Sequence, residues 1–145
     1  MAKQYNKSSQ NNSEAYRQLA ELEGTVPPQA VELEQAVLGA LMLEKDAIID
    51  VQEYIKPETF YTEEHRIIFQ AIQELSFEMK AIDLYTVTEC LKSHRQLTKV
   101  GGAAYLAQLT QRVASAAHIE FHAKIIAQKY VQRELIRSAT EIERR

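Results

Sequence analysis

Apolar residues recur along this chain at helical spacing, and no segment alternates with period two for long enough to argue a strand. The pattern predicts an all-α chain. Its strongest stretch is Pro27–Leu43, PPQAVELEQAVLGALML. The two prolines suit the first turn of a helix, where a missing N–H costs nothing. Ala30, Leu33, Val37, Leu38 and Leu41 share one face, which predicts a helix that enters the core. Glu32 and Glu34 fall near its N-terminal end, where the helix dipole favours negative charge. Ala36, Gly39 and Ala40 form a narrow strip suited to close packing, since a helical glycine otherwise costs about 1 kcal/mol relative to alanine.

Shorter helices follow. Asp46 is an N-cap candidate for AIIDVQEYI, and Pro57 prevents continuation. Thr62 is the next cap, with Glu63 and Glu64 in the first turn and Ile67, Ile68, Ala71, Ile72 and Leu75 as an apolar stripe. Asp83 caps a fourth helix that turns Leu84, Val87 and Leu91 inward. Gly101-Gly102 breaks the chain before a fifth helix lined by Leu106, Leu109 and Val113. At the N-terminus, residues 1–12 have almost nothing to bury and are expected to be disordered. Ser13 to Leu22 predicts a short helix stopped at Gly24.

The last segment differs in kind. From Ala116 onward there is no glycine or proline, which predicts one helix of roughly 28 residues, about 42 Å long. Ile119, Ala123, Ala127, Val131 and Leu135 follow at i+4 steps, Ala139 and Ile142 continue the series, and Ile125, Ile126, Tyr130 and Ile136 broaden it. So long an apolar surface predicts a partner helix or a second subunit, the alternative being a helix folded back along the bundle. The expected organisation is an N-terminal tail (1–26), a compact bundle of short helices (27–114) and a long protruding helix (115–145).

Composition fits one such domain. The chain has 145 residues and 46% hydrophobic residues. No apolar run approaches the roughly 20 residues of a membrane span, and the N-terminus lacks the apolar segment of a secretory signal. Cys90 is the single cysteine, which excludes a disulfide framework and a cysteine-only zinc site, so an intracellular, cytoplasmic protein is expected. Net charge is −3, distributed as −8 over residues 30–83 and +5 over 84–145. Such polarity suits contacts between subunits.

Candidate chemistry is sparse. None of the four glycines lies in a G-x-x-x-x-G-K-[ST] context, so no phosphate-binding loop is present. His118 and His122 stand four apart and could share a metal, but Glu120 points to the opposite side and no third ligand is evident. His65 and His94 have no acid–base partner nearby in sequence, and an ordinary surface role is expected. Tyr54, Phe60, Tyr61 and Tyr85 have acidic neighbours, which favours packing over stacking on bases. Lys124, Lys129, Arg133, Arg137, Arg144 and Arg145 alternate with Glu120, Glu134, Glu141 and Glu143, the pattern of a solvated helix face or an electrostatic rim. No catalytic, cofactor-binding or metal residue is assigned.

Five stretches carry a resemblance. PQAVELEQAVLGALML resembles the opening helix of the bacterial replicative DNA helicase, the DnaB family. FYTEEHRIIFQAI (Phe60–Ile72), IDLYTV (Ile82–Val87) and GGAAYLAQL (Gly101–Leu109) are similar to later segments of that family's N-terminal domain, in the same order. SAAHIEFHAKII (Ser115–Ile126) stands where the family starts a protruding helical hairpin. Two positions depart from the pattern: Ala114, often proline, and His118, often asparagine. Both concern how the hairpin is launched. The family's RecA-like motor, with its Walker motifs, has no counterpart here, and the chain is expected to stop within the first arm of the hairpin.

The resemblance implies the N-terminal collar domain of a replicative helicase. Such a domain assembles a hexamer as a trimer of dimers and docks primase, with a helicase loader as a further partner. DNA, ATP and Mg²⁺ would be handled mainly by the motor. No cofactor is expected in this chain, and no membrane. The subunit contact is expected at Ile125, Ile126, Val131, Leu135 and Ile136, rimmed by Lys129, Arg133 and Arg137. The alternatives are the helicase-binding domain of primase, a helical nucleic-acid-binding domain, and a metal enzyme built on His118 and His122.

Overall fold

The computed structural model describes residues 26–112 and 116–143. The expectations for residues 1–12, the Ser13–Leu22 helix, Val113, Ala114, Arg144 and Arg145 lie outside them. Among the described residues there are six α-helices and no strand: α1 (Val31–Leu43), α2 (Ala47–Val51), α3 (Glu63–Phe77), α4 (Leu84–Ser93), α5 (Gly102–Gln111) and α6 (Ile119–Glu143). Two single-turn 3-10 segments, Pro57–Thr59 and Ala116–His118, precede α3 and α6. The described residues divide into two units, one of 29–128 and one of 26–28 with 129–143.

Within the first unit the apolar stripes meet as their spacing demands. Val37, Leu38 and Leu41 of α1 pack in one core with Ile68, Phe69 and Ile72 of α3, Val87 and Leu91 of α4, and Leu106 and Leu109 of α5. Phe60, just before α3, lies 5.1 Å from Phe69 between ring centroids. Gly39 and Ala40 are buried in α1. The start of α6 joins the same core through Ile119, Ala123 and Ile126. On its outer side Tyr54 donates to Glu120 Oε1 at 3.0 Å, and Lys124 lies over the Tyr54 ring. The accepting Glu120 carboxylate raises the Tyr54 pKa.

Two of the expected caps form. Thr62 accepts the His65 amide at 3.2 Å, and Asp83 accepts the Thr86 amide at 2.8 Å while Thr86 Oγ1 accepts the Asp83 amide. Three boundaries differ from expectation. The first helix starts at Val31 instead of at the prolines: Ala30 is the N-cap residue, in a non-helical conformation (φ −141°), and the first helical amide is held by the Gln29 side chain at 3.1 Å. Asp46 precedes α2 in a left-handed conformation (φ 63°) and makes no side-chain cap. The tight turn from α1 imposes that conformation, which aspartate tolerates better than most residues. The last helix has 25 residues, because Ala116–His118 winds as a 3-10 turn; its length is about 37 Å.

Helix ends are closed by left-handed residues. At the end of α3 the Lys80 amide reaches back to the Leu75 carbonyl (2.9 Å) with Met79 at φ 57°, and at the end of α4 the Gln96 amide reaches Leu91 (2.8 Å) with Arg95 at φ 58°. Both are Schellman closures. Gly101 (φ 109°) leads into α5, and a Cβ there would lie 2.9 Å from Tyr105 Cβ. Among the described residues that is the one turn that needs glycine on both counts.

Candidate functional site

The long helix was expected to carry the working surface. Successive residues turn by about 100°, so an i+4 step advances the face by about 40°. The series Ile119, Ala123, Ala127, Val131, Leu135 therefore winds through about 160° and is not one stripe. Its first members belong to the buried side of α6, and its last members belong to the opposite side. Ile119, Ala123 and Ile126 are buried, and so is Ile136 in the second unit. Val131, Leu135 and Ile142 are 54%, 47% and 74% exposed. Their spacing puts these three within about 40° of one another, on a single outward face.

The expected contact residues thus separate into two groups. Ile126 and Ile136 are buried within the chain, with Ile125 half-buried. Val131 and Leu135 are open. Of the rim residues, Arg133 donates to the Pro28 carbonyl at 2.9 Å and lies 5.7 Å from the Tyr130 ring centroid. Arg137 is exposed and pairs with Glu134, while Lys129 is half-buried. Glu120 and Lys124 form the expected i,i+4 pair at 3.5 Å.

His65 is not a surface residue. It is 1% exposed, as is Glu34, and its Nδ1 lies 2.8 Å from Glu34 Oε1. The other Glu34 oxygen accepts the Tyr61 amide at 2.8 Å. The Tyr105 hydroxyl stands 2.7 Å from His65 Nε2 and receives a longer bond from Gln35 (3.5 Å). Facing a carboxylate, which can only accept, Nδ1 is the donor of that bond. Arg66, the next residue, binds the Phe60 and Tyr61 carbonyls. The network joins α1, α3, α5 and the loop before α3. Its chemistry is that of a satisfied polar cluster, buried at Glu34 and His65 and half-buried at Tyr105.

His94 likewise has an acidic partner. Its Nε2 lies 2.7 Å from Glu74 Oε2, and Cys90 Sγ lies 3.4 Å from the same oxygen. These bonds, His94 first, hold the Glu74 carboxyl below its ordinary value. Burial, then the Glu74 carboxylate, pushes the Cys90 thiol up to about 11. Both histidine pairings escaped sequence reading because their partners are remote in sequence, 31 residues for His65 and 20 for His94. The rings of His118 and His122 are 6.3 Å apart. Of the aromatic candidates, Phe60 is buried, Tyr54 and Tyr61 are half-buried, and Tyr85 is exposed.

Residues 26–128 match the family described as DnaB-like helicase N terminal domain. The chain belongs to that family. Replicative DNA helicase DnaB of Rhodothermus marinus is 52% identical over 110 residues, which cover 76% of this chain and 12% of that protein. Replicative DNA helicase DnaB of Geobacillus stearothermophilus is 43% identical over 117 residues, covering 81% of this chain and 26% of that one. The chain therefore spans about a quarter or less of these DnaB relatives. Among solved structures, the N-terminal domain of DnaB helicase from Mycobacterium tuberculosis superposes with a TM-score of 0.79 at 37% identity, covering 81% of this chain and 86% of that one. A DnaB-like replicative helicase, solved with attention to its interactions with primase, gives 0.71 at 26% identity over 79% of this chain and 27% of its own. The all-α DnaB fold with a long C-terminal helix is confirmed, and the match is to the N-terminal domain, outside the motor.

Proposed function

We propose that this chain is the assembly and docking domain of a bacterial replicative DNA helicase, working in the cytoplasm as part of a hexameric collar. Unwinding, and the ATP and Mg²⁺ it consumes, belong in this reading to the rest of the protein. The observation that carries it is the outward face of α6, where Val131, Leu135 and Ile142 stand open on a helix whose other side is already buried. An isolated helix face of this kind gains about 25 cal/mol for each Å² of apolar surface it covers. A second copy of the same helix would cover it and form a dimer, three of which close a ring. Primase is the proposed external partner, in keeping with the primase interactions of the similar helicase. A loader and DNA are secondary in this reading. Lys129, Arg133 and Arg137 would rim the contact, and Ile125, Ile126 and Ile136 would hold the helix from behind.

Sedimentation equilibrium across a concentration range tests the subunit contact. The wild-type chain is expected to show a concentration-dependent dimer. Leu135→Glu should weaken it by about tenfold or more, because burying one leucine contributes about 1.5–3 kcal/mol. A dimer unaffected by Leu135→Glu would remove this face from the interface. A strict monomer would move assembly to parts of the protein beyond this chain.

A further inference from the structure

We propose that Glu74, Cys90 and His94 form a binding site for a zinc-like divalent cation that staples α3 to α4. Among the described residues they are the one group of three metal-ligating side chains whose donor atoms all lie within 4.8 Å of one another. Glu74 stands on the last full turn of α3, while Cys90 and His94 are four apart at the end of α4, so they lie on one face of that helix. Both are aimed at a single atom: Glu74 Oε2 is 2.7 Å from His94 Nε2 and 3.4 Å from Cys90 Sγ.

The bland reading is a surface Glu–His pair beside a small packed cysteine. Two features favour a cation. The first is spacing. A tetrahedral zinc with Zn–S of about 2.3 Å and Zn–N or Zn–O of about 2.0 Å separates its ligand atoms by about 3.2–3.7 Å. The carboxylate–imidazole distance (2.7 Å) is near that range, the carboxylate–sulfur distance (3.4 Å) lies within it, and the imidazole–sulfur separation is no more than 4.8 Å, so side-chain rotations bring the three donors to one ion. The second is donor chemistry. One thiolate, one imidazole and one carboxylate suit Zn²⁺ or Co²⁺ and are poorly matched to Mg²⁺ or Ca²⁺, which take oxygen. Two negative ligands neutralise a dipositive ion. The Glu74 and His94 side chains are 41% and 47% exposed, which leaves the fourth position to water.

On binding, the metal–sulfur bond forms as the Cys90 proton leaves to solvent, and neutral His94 and ionised Glu74 donate lone pairs. No electron is transferred. The staple would tie the end of α3 to the end of α4 across the Glu78–Asp83 connection, a segment otherwise held by the left-handed turn at Met79 and the Asp83 cap.

Cobalt and zinc titrations of the whole reduced, chelator-treated chain test the proposal. Co²⁺ should produce a thiolate-to-cobalt charge-transfer band saturating at one equivalent. Zn²⁺ at about a hundredfold excess over its dissociation constant should raise the unfolding midpoint by about 5 °C or more. Cys90→Ser and His94→Ala should each abolish the zinc-dependent rise, measured against that variant's own metal-free midpoint, so that a change in intrinsic stability does not confuse the result. The double variant His118→Ala/His122→Ala should keep both signals. Absence of the charge-transfer band in the wild type would overturn the site. So would a zinc-dependent rise that survives in Cys90→Ser, or one that disappears in the His118/His122 variant.

Discussion

Glu34 and His65 stand 31 residues apart in sequence and 2.8 Å apart in space, with Tyr105 completing the cluster from a third helix. Each comes from a different stretch of family resemblance: PQAVELEQAVLG, FYTEEHRIIFQAI and GGAAYLAQL. Those stretches therefore hold the fold together, and Glu34 and His65 are shielded from any partner. Removing one member leaves the others unsatisfied in a dry site, which costs more than the hydrogen bond itself contributes. Glu34→Ala, which strands both His65 Nδ1 and the Tyr61 amide, is expected to cost about 3–5 kcal/mol in urea unfolding. Tyr105→Phe, which takes the hydroxyl partner from His65 Nε2 and from the Gln35 amide, should cost about 1–2 kcal/mol. Equal costs would mean that the carboxylate is not the hub. Cys90 belongs to the same scale. With its thiol at about 11, the thiolate is scarce at neutral pH. Metal-free alkylation by iodoacetamide should be about tenfold slower than for an ordinary thiol at the same pH, the scarcity of thiolate being partly offset by its greater nucleophilicity. The rate should keep climbing with pH and level off only above about 11. A plateau in the ordinary thiol range would contradict the buried, carboxylate-facing environment.

At the scale of elements, periodicity located the helices and misjudged their edges. Thr62 and Asp83 cap as their neighbours predict, because a cap is a local bond between residues three apart. Asp46 does not, because the turn from α1 dictates its backbone before its side chain can choose. The ends of α3 and α4 carry Met79 and Arg95 in the left-handed region, where a side chain costs about 1–2 kcal/mol and glycine almost nothing. Met79 is 94% exposed, so its side chain contributes little packing. Met79→Gly should therefore stabilise the chain by about 0.5–1 kcal/mol, read as a higher urea midpoint with an unchanged slope. A loss of stability would show that the Met79 side chain covers more apolar surface than its exposure indicates.

At the scale of the molecule, the acidic first half and the basic second half bear on how copies meet. Exposed charges are screened over about 10 Å at 0.1 M salt, whereas apolar contact is not. An association centred on Val131 and Leu135 should survive high salt in the sedimentation experiment, and one driven by the −8 and +5 segments should fade. By itself the sequence determined the all-α class, the number and order of the described helices from α1 to α6, and the inward residues of α1, α3, α4 and α5. Each of these follows from local spacing and from apolar surface that must leave water. Only the tertiary structure decided which side of α6 is spent on the core and which side remains open. An i+4 series drifts around the helix, and sequence carries no record of where a neighbour stops. The tertiary structure also decided that His65 is a buried hub and that Glu74, Cys90 and His94 converge. Contacts between remote residues are set by how the packed helices cross, and spacing along one helix cannot encode that.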